Sequence, residues 1–300
     1  MEVTILEAIR KSAEFLEGKG VENPRLQVEM MLEKILKQPR LQLYLQFETH
    51  LTEIQENDLR AWVIRRGQRE PLQHLLGEVS FCGYPIQVNP EVLIPRPESE
   101  ILAETAWNYL IREFRDSSVP LQILDFGTGS GCLAIAIAQN TDNVQVTALD
   151  ASEKALKTAA KNLILNDLTD RIKLIESHGF DALNGNSRFD LIVSNPPYIP
   201  SHEIPNLEPE VRLHDPISAL DGGSDGLDFY RILASGSTNH LTEEGILMME
   251  FGDGQEIDIV EILQSENWIV DNIMNDYTDR PRIIIAKRMC GSAMIPDSNP

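Results

Sequence analysis

Five consecutive residues, Ser194-Asn195-Pro196-Pro197-Tyr198, carry the most specific chemistry in the chain. An asparagine side chain offers a carbonyl oxygen, and proline adds no backbone N–H that would compete for it. The Asn195 side-chain oxygen and the Pro196 carbonyl can therefore each accept one hydrogen of a planar NH₂ group. Fixing both hydrogens aims the nitrogen lone pair at an electrophile, and Tyr198 can lie against the flat group. Read alone, two prolines mark only a loop. Here they directly follow an apolar run, Phe189–Ser194, that reads as a strand. The carboxyl edge of an open α/β sheet is where ligands bind.

A second constellation lies upstream. Asp125-Phe126-Gly127-Thr128-Gly129-Ser130-Gly131 leaves one apolar strand and enters an apolar helix. Glycines there let the backbone turn sharply and approach a ligand closely, with a helix N-terminus behind. No GK[ST] follows, so this is not a Walker loop, and GxGxG is one residue short of the dinucleotide fingerprint. The next strand closes on Asp150, placed to accept hydrogen bonds from both hydroxyls of a ribose. Its other reading is a helix N-cap ahead of Ser152. Loop and acid together indicate an adenosine-containing cofactor. Glu250, on the strand before Gly252, can face the same pocket, though a strand-end carboxylate is more often solvated.

Other chemistries find no support. The six histidines (His50, His74, His178, His202, His214, His240) are scattered without HExxH or comparable spacing, and no metal is expected. Cys82, Cys132 and Cys290 form no CxxC pair and suit a reducing compartment. GxSxG is absent, which removes the nucleophile elbow of a serine hydrolase.

The elements that must position these loops alternate. Apolar runs at Leu121–Asp125, Val144–Asp150, Ile172–Glu176, Phe189–Ser194, Gly245–Phe251, Trp268–Met274 and Arg282–Lys287 read as strands. Helical patterns at Cys132–Gln139, Glu153–Asn166, Gly226–His240 and Glu256–Glu266 separate them. This predicts a doubly wound, mostly parallel, seven-stranded α/β sheet. The last two strands, joined by a loop too short for a crossover, should pair antiparallel.

Upstream the period is helical. Leu6, Ile9, Ala13 and Leu16 recur at three- and four-residue steps. Asn23-Pro24 reads as an N-cap and first helical residue, opening a helix with Leu26, Met31, Leu32, Ile35 and Leu36 inward. Thr52 and Gln55 have capping-box spacing, opening a helix through Leu59, Trp62 and Val63 to Gly67. The second proline of Leu93-Ile94-Pro95-Arg96-Pro97 can start a helix running toward Phe114. The expected organisation is a helical domain over 1–76, a β-hairpin linker over 77–92, a sheet domain over 93–288 and a loose tail over 289–300.

Composition bounds the partners. The 300 residues are 42% hydrophobic and 24% charged, which excludes collagen and coiled-coil rods. Lys and Arg number 26 against 47 Asp and Glu, a net charge of −21. A surface that negative repels phosphate backbones and anionic lipid, so no direct nucleic-acid binding is expected. The charged opening MEVTILEAIRKSAEF has no signal-peptide core, and no run approaches a membrane span, so a cytoplasmic protein without membrane contact is expected.

The segments VLIPRPESE, DFGTGSG, NPPYIP and LDGGSDGLDFYR together resemble the HemK/PrmC family, the peptide chain release factor N5-glutamine methyltransferases. The likeness runs from the N-terminal helices to about Lys287. It implies a Rossmann-like methyltransferase domain and S-adenosylmethionine as cofactor. It further implies methyl transfer to the side-chain amide nitrogen of the glutamine in the release factors' Gly-Gly-Gln motif. A monomer is expected. Gly127, Thr128, Gly129, Ser130 and Gly131 would wrap the methionine end, and Asp150 would hold the ribose. Asn195, Pro196, Pro197 and Tyr198 would bind the glutamine and carry the reaction, and Leu93 to Pro97 would wall the pocket. The N-terminal helices would contact the release factor.

Three departures from the family pattern stand out. Phe126 stands for a smaller aliphatic and Ser99 for a threonine. His178 and Gly179 stand where an acid and an aromatic usually border adenine. Phe180 remains to stack on the ring, or to fill core. Two alternatives stay open: an N6-adenine methyltransferase of DNA or RNA, and a catalytically silent partner-binding protein. The first needs the same NH₂ geometry, plus a basic groove and base flipping.

Overall fold

The computed structural model describes residues 3–114 and 118–289. The expected tail over 289–300 lies, apart from Met289, outside the described residues, as does Cys290. The chain divides into two compact units, one of residues 1–79 with 207–215, the other of 80–206 with 216–300.

The first unit is helical: α1 Ile5–Glu17, α2 Pro24–Leu36, α3 Arg40–Leu45, α4 Glu53–Gly67 and α5 Leu72–Leu76. Capping boxes open α1 at Thr4/Glu7 and α4 at Thr52/Gln55, each satisfying two backbone donors that the first turn leaves orphaned. The core gathers Ile5, Ile9, Leu16, Val28, Met31, Leu32, Leu43 and Leu59. Two expectations need correction. Leu6 and Leu26 are exposed, and the buried faces are set instead by Ile5, Ala8 and Ile9 on α1 and by Val28 on α2. Asn23 is not a side-chain cap; it sits in the left-handed region at φ 48° and turns the chain into Pro24. Helices α3 and α5 escape a periodicity reading because six and five residues are too few to show a repeat.

A hairpin of β1 Glu78–Phe81 and β2 Tyr84–Gln87 follows, then α6 Pro97–Glu113. The remaining elements are β3 Leu121–Phe126, α7 Cys132–Asn140, β4 Val144–Asp150, α8 Glu153–Leu165, β5 Ile172–Glu176, β6 Phe189–Ser194, α9 Pro209–His214, α10 Asp228–Ser237, β7 Leu241–Glu250, α11 Glu256–Ser265, β8 Trp268–Asn275 and β9 Pro281–Arg288. Seven strands form one sheet in the order β5-β4-β3-β6-β7-β9-β8. β3 to β7 pair in parallel, while β9 lies antiparallel between β7 and β8. The mostly parallel, doubly wound architecture is thus as read, with β9 inserted rather than added at the edge.

Strand order reverses beside β3, which has β4 on one side and β6 on the other. That reversal opens a crevice at the carboxyl ends. Leu191–Val193 of β6 and Ile246–Met249 of β7 are unbroken apolar, fully buried stretches, as strands buried on both faces require. Asn162 of α8 ties β2 to the sheet unit, its amide exchanging hydrogen bonds with the Gln87 backbone at 2.7 and 3.0 Å. Residues 207–215, including α9, belong with the first unit. There Arg66 and Arg69 both hold Glu210, at 2.9 and 2.6 Å.

Candidate active site

A cavity of about 420 Å³ opens at the carboxyl ends of β3, β4, β5 and β6, a size that suits a small-molecule ligand. Its floor is the loop after β3. Backbone N–H groups of Gly127 and Thr128 both bond the Leu149 carbonyl, at 2.9 and 2.8 Å, so the loop folds back over β4. A Cβ built at Gly127 or Gly129 would meet nothing within 4 Å; it would stand in open space at the cavity wall. Both residues have positive φ, 76° and 55°, so the backbone takes a turn that side chains disfavour and leaves room for a ligand. Gly131 does not line the cavity. At φ 83° it turns the chain into α7, close against Ala159.

Asp150 lines the cavity and organises it. One carboxylate oxygen accepts from Gly129 N and the other from Ser152 N, each at 2.8 Å. The helix N-cap is Ser152, whose hydroxyl accepts from Ala155 N, so capping is not Asp150's role. Each Asp150 oxygen keeps a lone pair for a ligand hydroxyl. Burial pushes the carboxyl up from its ordinary value while three backbone N–H groups pull it down. Asp125, fully buried beneath the loop, accepts from Thr128 Oγ1 at 2.6 Å and Ala134 N at 3.2 Å, and burial raises its pKa to about 7.

At the opposite end stand Asn195 and Pro197, with Leu93, Pro95, Arg96 and Ser99 from the segment entering α6. Pro196 and Tyr198, both expected to touch substrate, are not among the lining side chains. Pro196 is buried, and Tyr198 packs on the core and over Gly252. Ser194, one residue before the loop, donates to the Phe126 carbonyl at 2.7 Å and locks the ends of β6 and β3 together.

The Asn195 amide is held by side chains from two distant segments. Its Nδ2 donates to Ser99 Oγ at 2.8 Å, and Ser99 donates to Glu250 Oε2 at 2.6 Å. Register explains the meeting: Ser194 pairs with Met249, so Asn195 leaves β6 beside Glu250 at the end of β7. Glu250 is 1% exposed, against the expectation of a solvated carboxylate. Burial raises its pKa to about 7, opposed by hydrogen bonds from Ser99 and Asn195 and by the Arg282 charge. The signal was present in the sequence, a lone carboxylate within the apolar run Gly245–Phe251.

The glycines after the loop also acquire a purpose. A Cβ at Gly222 would sit 2.8 Å from the Pro197 carbonyl, and one at Gly226 would strike the Tyr198 carbonyl. The Asp221–Gly226 turn thereby packs backbone to backbone on the Asn195–Tyr198 loop. Gln255 Nε2 donates to the carbonyls of Tyr198 and Gly226, at 3.0 and 3.3 Å.

Phe180 is not at the cavity. Its ring packs on Phe126 at 4.9 Å, stacks on His240 at 5.3 Å and presses against Gly236. Core filling, the other reading of this residue, is what the structure shows. Ser177, His178 and Gly179 line the cavity instead. Among the described residues no group of three or more His, Cys, Asp or Glu could hold a metal, and no helix is long and apolar enough to cross a membrane.

The sheet order, the glycine loop and the acid on the second strand define a Rossmann-like methyltransferase fold. A methyltransferase from Pyrococcus furiosus shares it, with a TM-score of 0.50 at 21% identity over 69% of this chain and 90% of that one. Residues 7–77 match the PrmC N-terminal domain and residues 104–207 the methyltransferase small domain. The release factor glutamine methyltransferase of Geobacter sulfurreducens is 42% identical over 84% of this chain and 85% of its own. That of Fusobacterium nucleatum is 39% identical over 94% of this chain and 78% of its own. The chain belongs to the release factor glutamine methyltransferase family.

Proposed function

We infer that this protein methylates the side-chain amide nitrogen of a glutamine in peptide chain release factors, using S-adenosylmethionine. The activity follows from membership of the family, and by the motif resemblance the glutamine would be that of the Gly-Gly-Gln motif. When bound, the cofactor supplies an electrophilic methyl group on its sulfonium. The open faces of Gly127 and Gly129 fit such a group, since they leave the space that an elongated ligand needs. On this reading Gly127, Thr128, Gly129 and Ser130 border the methionine end, Gly131 turns the chain behind them, and Asp150 accepts from the ribose hydroxyls. Phe180 has no part in holding the adenine.

The observation that carries the substrate end is the Asn195 amide, whose NH₂ group is committed to Ser99, leaving its carbonyl oxygen to accept. An amide nitrogen is a poor nucleophile because its lone pair is delocalised, so alignment rather than deprotonation is what the loop must provide. Asn195 Oδ1 and the Pro196 carbonyl would each accept one glutamine N–H, with Pro197 walling the pocket. Tyr198 supports the loop from the core side. No histidine is needed as a base.

The reading extends to organisation. Residues 1–76 would recognise the release factor, 77–92 would link, and 93–288 would bind cofactor and glutamine. A monomeric cytoplasmic enzyme without direct nucleic-acid binding accords with the net charge of −21. Incubating a purified release factor with this protein and S-adenosylmethionine should add one methyl group to the glutamine peptide, seen by mass spectrometry. An unmodified peptide beside methylated DNA would overturn the assignment.

A further inference from the structure

We propose that Glu250 is a positioning residue for methyl transfer: acting through Ser99, it fixes the Asn195 side chain so that its carbonyl oxygen, and not its NH₂ group, faces the substrate. The proposal rests on the glutamine reading of the cavity given above.

A hydroxyl has one hydrogen to give. Ser99 spends its hydrogen on the Glu250 carboxylate at 2.6 Å, so toward Asn195 its oxygen can only accept. The group it accepts from at 2.8 Å must be the amide NH₂. An asparagine amide has nearly the same shape after a half-turn, and hydrogen bonding alone decides which way it points. Reversed, Asn195 would set its own N–H groups against those of the incoming glutamine, donor against donor. The buried carboxylate, which the Asn195 amide also contacts directly, is therefore the fixed acceptor that receives from Asn195 both through Ser99 and across that contact.

The chain keeps its direction only while Glu250 is ionised. Protonated, Glu250 can donate to Ser99, and the Ser99 hydrogen is free to turn toward Asn195 Oδ1. The groups facing this carboxylate are few. Ser99 and Glu98 come from α6, Asn195 and Tyr198 from the substrate loop, Tyr230 from α10 and Arg282 from β9. Tyr230 donates to the Glu250 backbone carbonyl at 3.0 Å and leaves the carboxylate alone. Arg282 bonds the Phe251 carbonyl, Asp253 and Asp276, so it favours the charge from a distance without replacing Ser99. Burial then sets ionisation near pH 7.

Single-turnover transfer to a release factor at saturating S-adenosylmethionine, measured from pH 5.5 to 9, tests this. The wild-type rate should fall about tenfold per pH unit below the ionisation of Glu250 and level off above it. Glu250→Gln and Ser99→Ala should each be roughly 10- to 100-fold slower at pH 8. Glu250→Gln should lose the pH dependence, and both should leave release-factor KM and cofactor affinity little changed. Ser99→Thr, which keeps the hydroxyl, should recover most of what Ser99→Ala loses. Independently of substrate, the Asn195 side-chain NH₂ resonances, assigned by their loss in Asn195→Asp, should titrate with pH in the wild type and stay fixed in Glu250→Gln. A Glu250→Gln enzyme with the wild-type rate and profile, or an Asn195 amide that does not titrate in the wild type, overturns the proposal. Wild-type enzyme that leaves the glutamine unmodified at every pH overturns the glutamine reading instead, and the amide titration still decides the chain from Asn195 to Glu250.

Discussion

The cavity end under Gly127–Ser130 and the end at Asn195 keep their shapes by different bonds. At the first, the donors are mostly backbone N–H groups: Gly127 and Thr128 to the Leu149 carbonyl, Gly129 and Ser152 to the Asp150 carboxylate. At the second, one amide is oriented by two side chains, 96 and 55 positions away, themselves joined across 151. Backbone restraint tolerates changes of side chain but not of backbone conformation. Side-chain restraint is the reverse: a single atom lost leaves a buried group unpaired. The two ends should therefore fail separately and by different substitutions.

The largest effect is expected from Asn195→Ala. Without the amide oxygen nothing aims the glutamine nitrogen, and transfer should fall by about three orders of magnitude. The cofactor dissociation constant, measured by calorimetry, should change less than about threefold, because no bond of the glycine loop passes through Asn195. Parallel losses in turnover and cofactor affinity would show that the two ends are one unit.

Next in size is a stability effect confined to the substrate end. The folded pKa of Glu250 lies at about 7, above the ordinary 4.5, so the folded protein holds a proton that the unfolded chain releases. Stability contributed by that proton is present below pH 4.5 and is lost as pH rises toward 7. Glu250→Gln removes the loss. In urea unfolding, the variant should gain about 2.5 kcal/mol relative to wild type between pH 5 and pH 8. Asp125 at the cofactor end carries a similar shift, with one oxygen bonded to Thr128 and Ala134 and the other without a partner among the described residues. It stays in the Glu250→Gln protein, as does Asp150, whose pKa burial also raises, and both contribute to the variant's remaining pH dependence. A difference between wild type and variant that does not change with pH would mean Glu250 is ionised at no unusual cost.

This contrast also sets what could be read from the sequence. The glycine loop, Asp150 and the strand–helix alternation are local patterns, and each stands where its spacing places it. The link from Ser99 through Glu250 to Asn195 depends on β7 lying beside β6 in a particular register, which no local pattern states. Ser99 at the start of α6 looks like a small surface residue, and Glu250 like a strand end. Phe180 failed for the same reason in reverse: its neighbours in sequence suggest the cavity, while its partners, Phe126 and His240, come from other strands and loops. Segment 207–215 follows the substrate loop in sequence yet belongs with the helical unit through Arg66 and Arg69, a pairing of charges that composition cannot locate.

Gly129→Ala sharpens the comparison from the cofactor end. At φ 55° the new Cβ costs about 1 kcal/mol in backbone conformation and projects into the open cavity. The S-adenosylmethionine dissociation constant should rise roughly tenfold, while turnover at saturating cofactor stays close to wild type. Lowered turnover at saturation, with affinity intact, would mean that the loop shapes the substrate end as well.

The smallest effect is expected at Phe180. Packed on Phe126, His240 and Gly236, its ring belongs to the core under α10, so Phe180→Leu should cost about 1 kcal/mol in urea unfolding. Cofactor affinity should hold within about twofold. His178, which lines the cavity, makes the matched control: His178→Ala should leave stability unchanged and weaken the cofactor a few-fold. The pair crosses over, one residue moving stability and the other affinity. If Phe180→Leu instead lost affinity without losing stability, the ring would turn toward the adenine when the ligand binds. The cofactor end would then be shaped by side chains as well, and its difference from the substrate end would be one of degree.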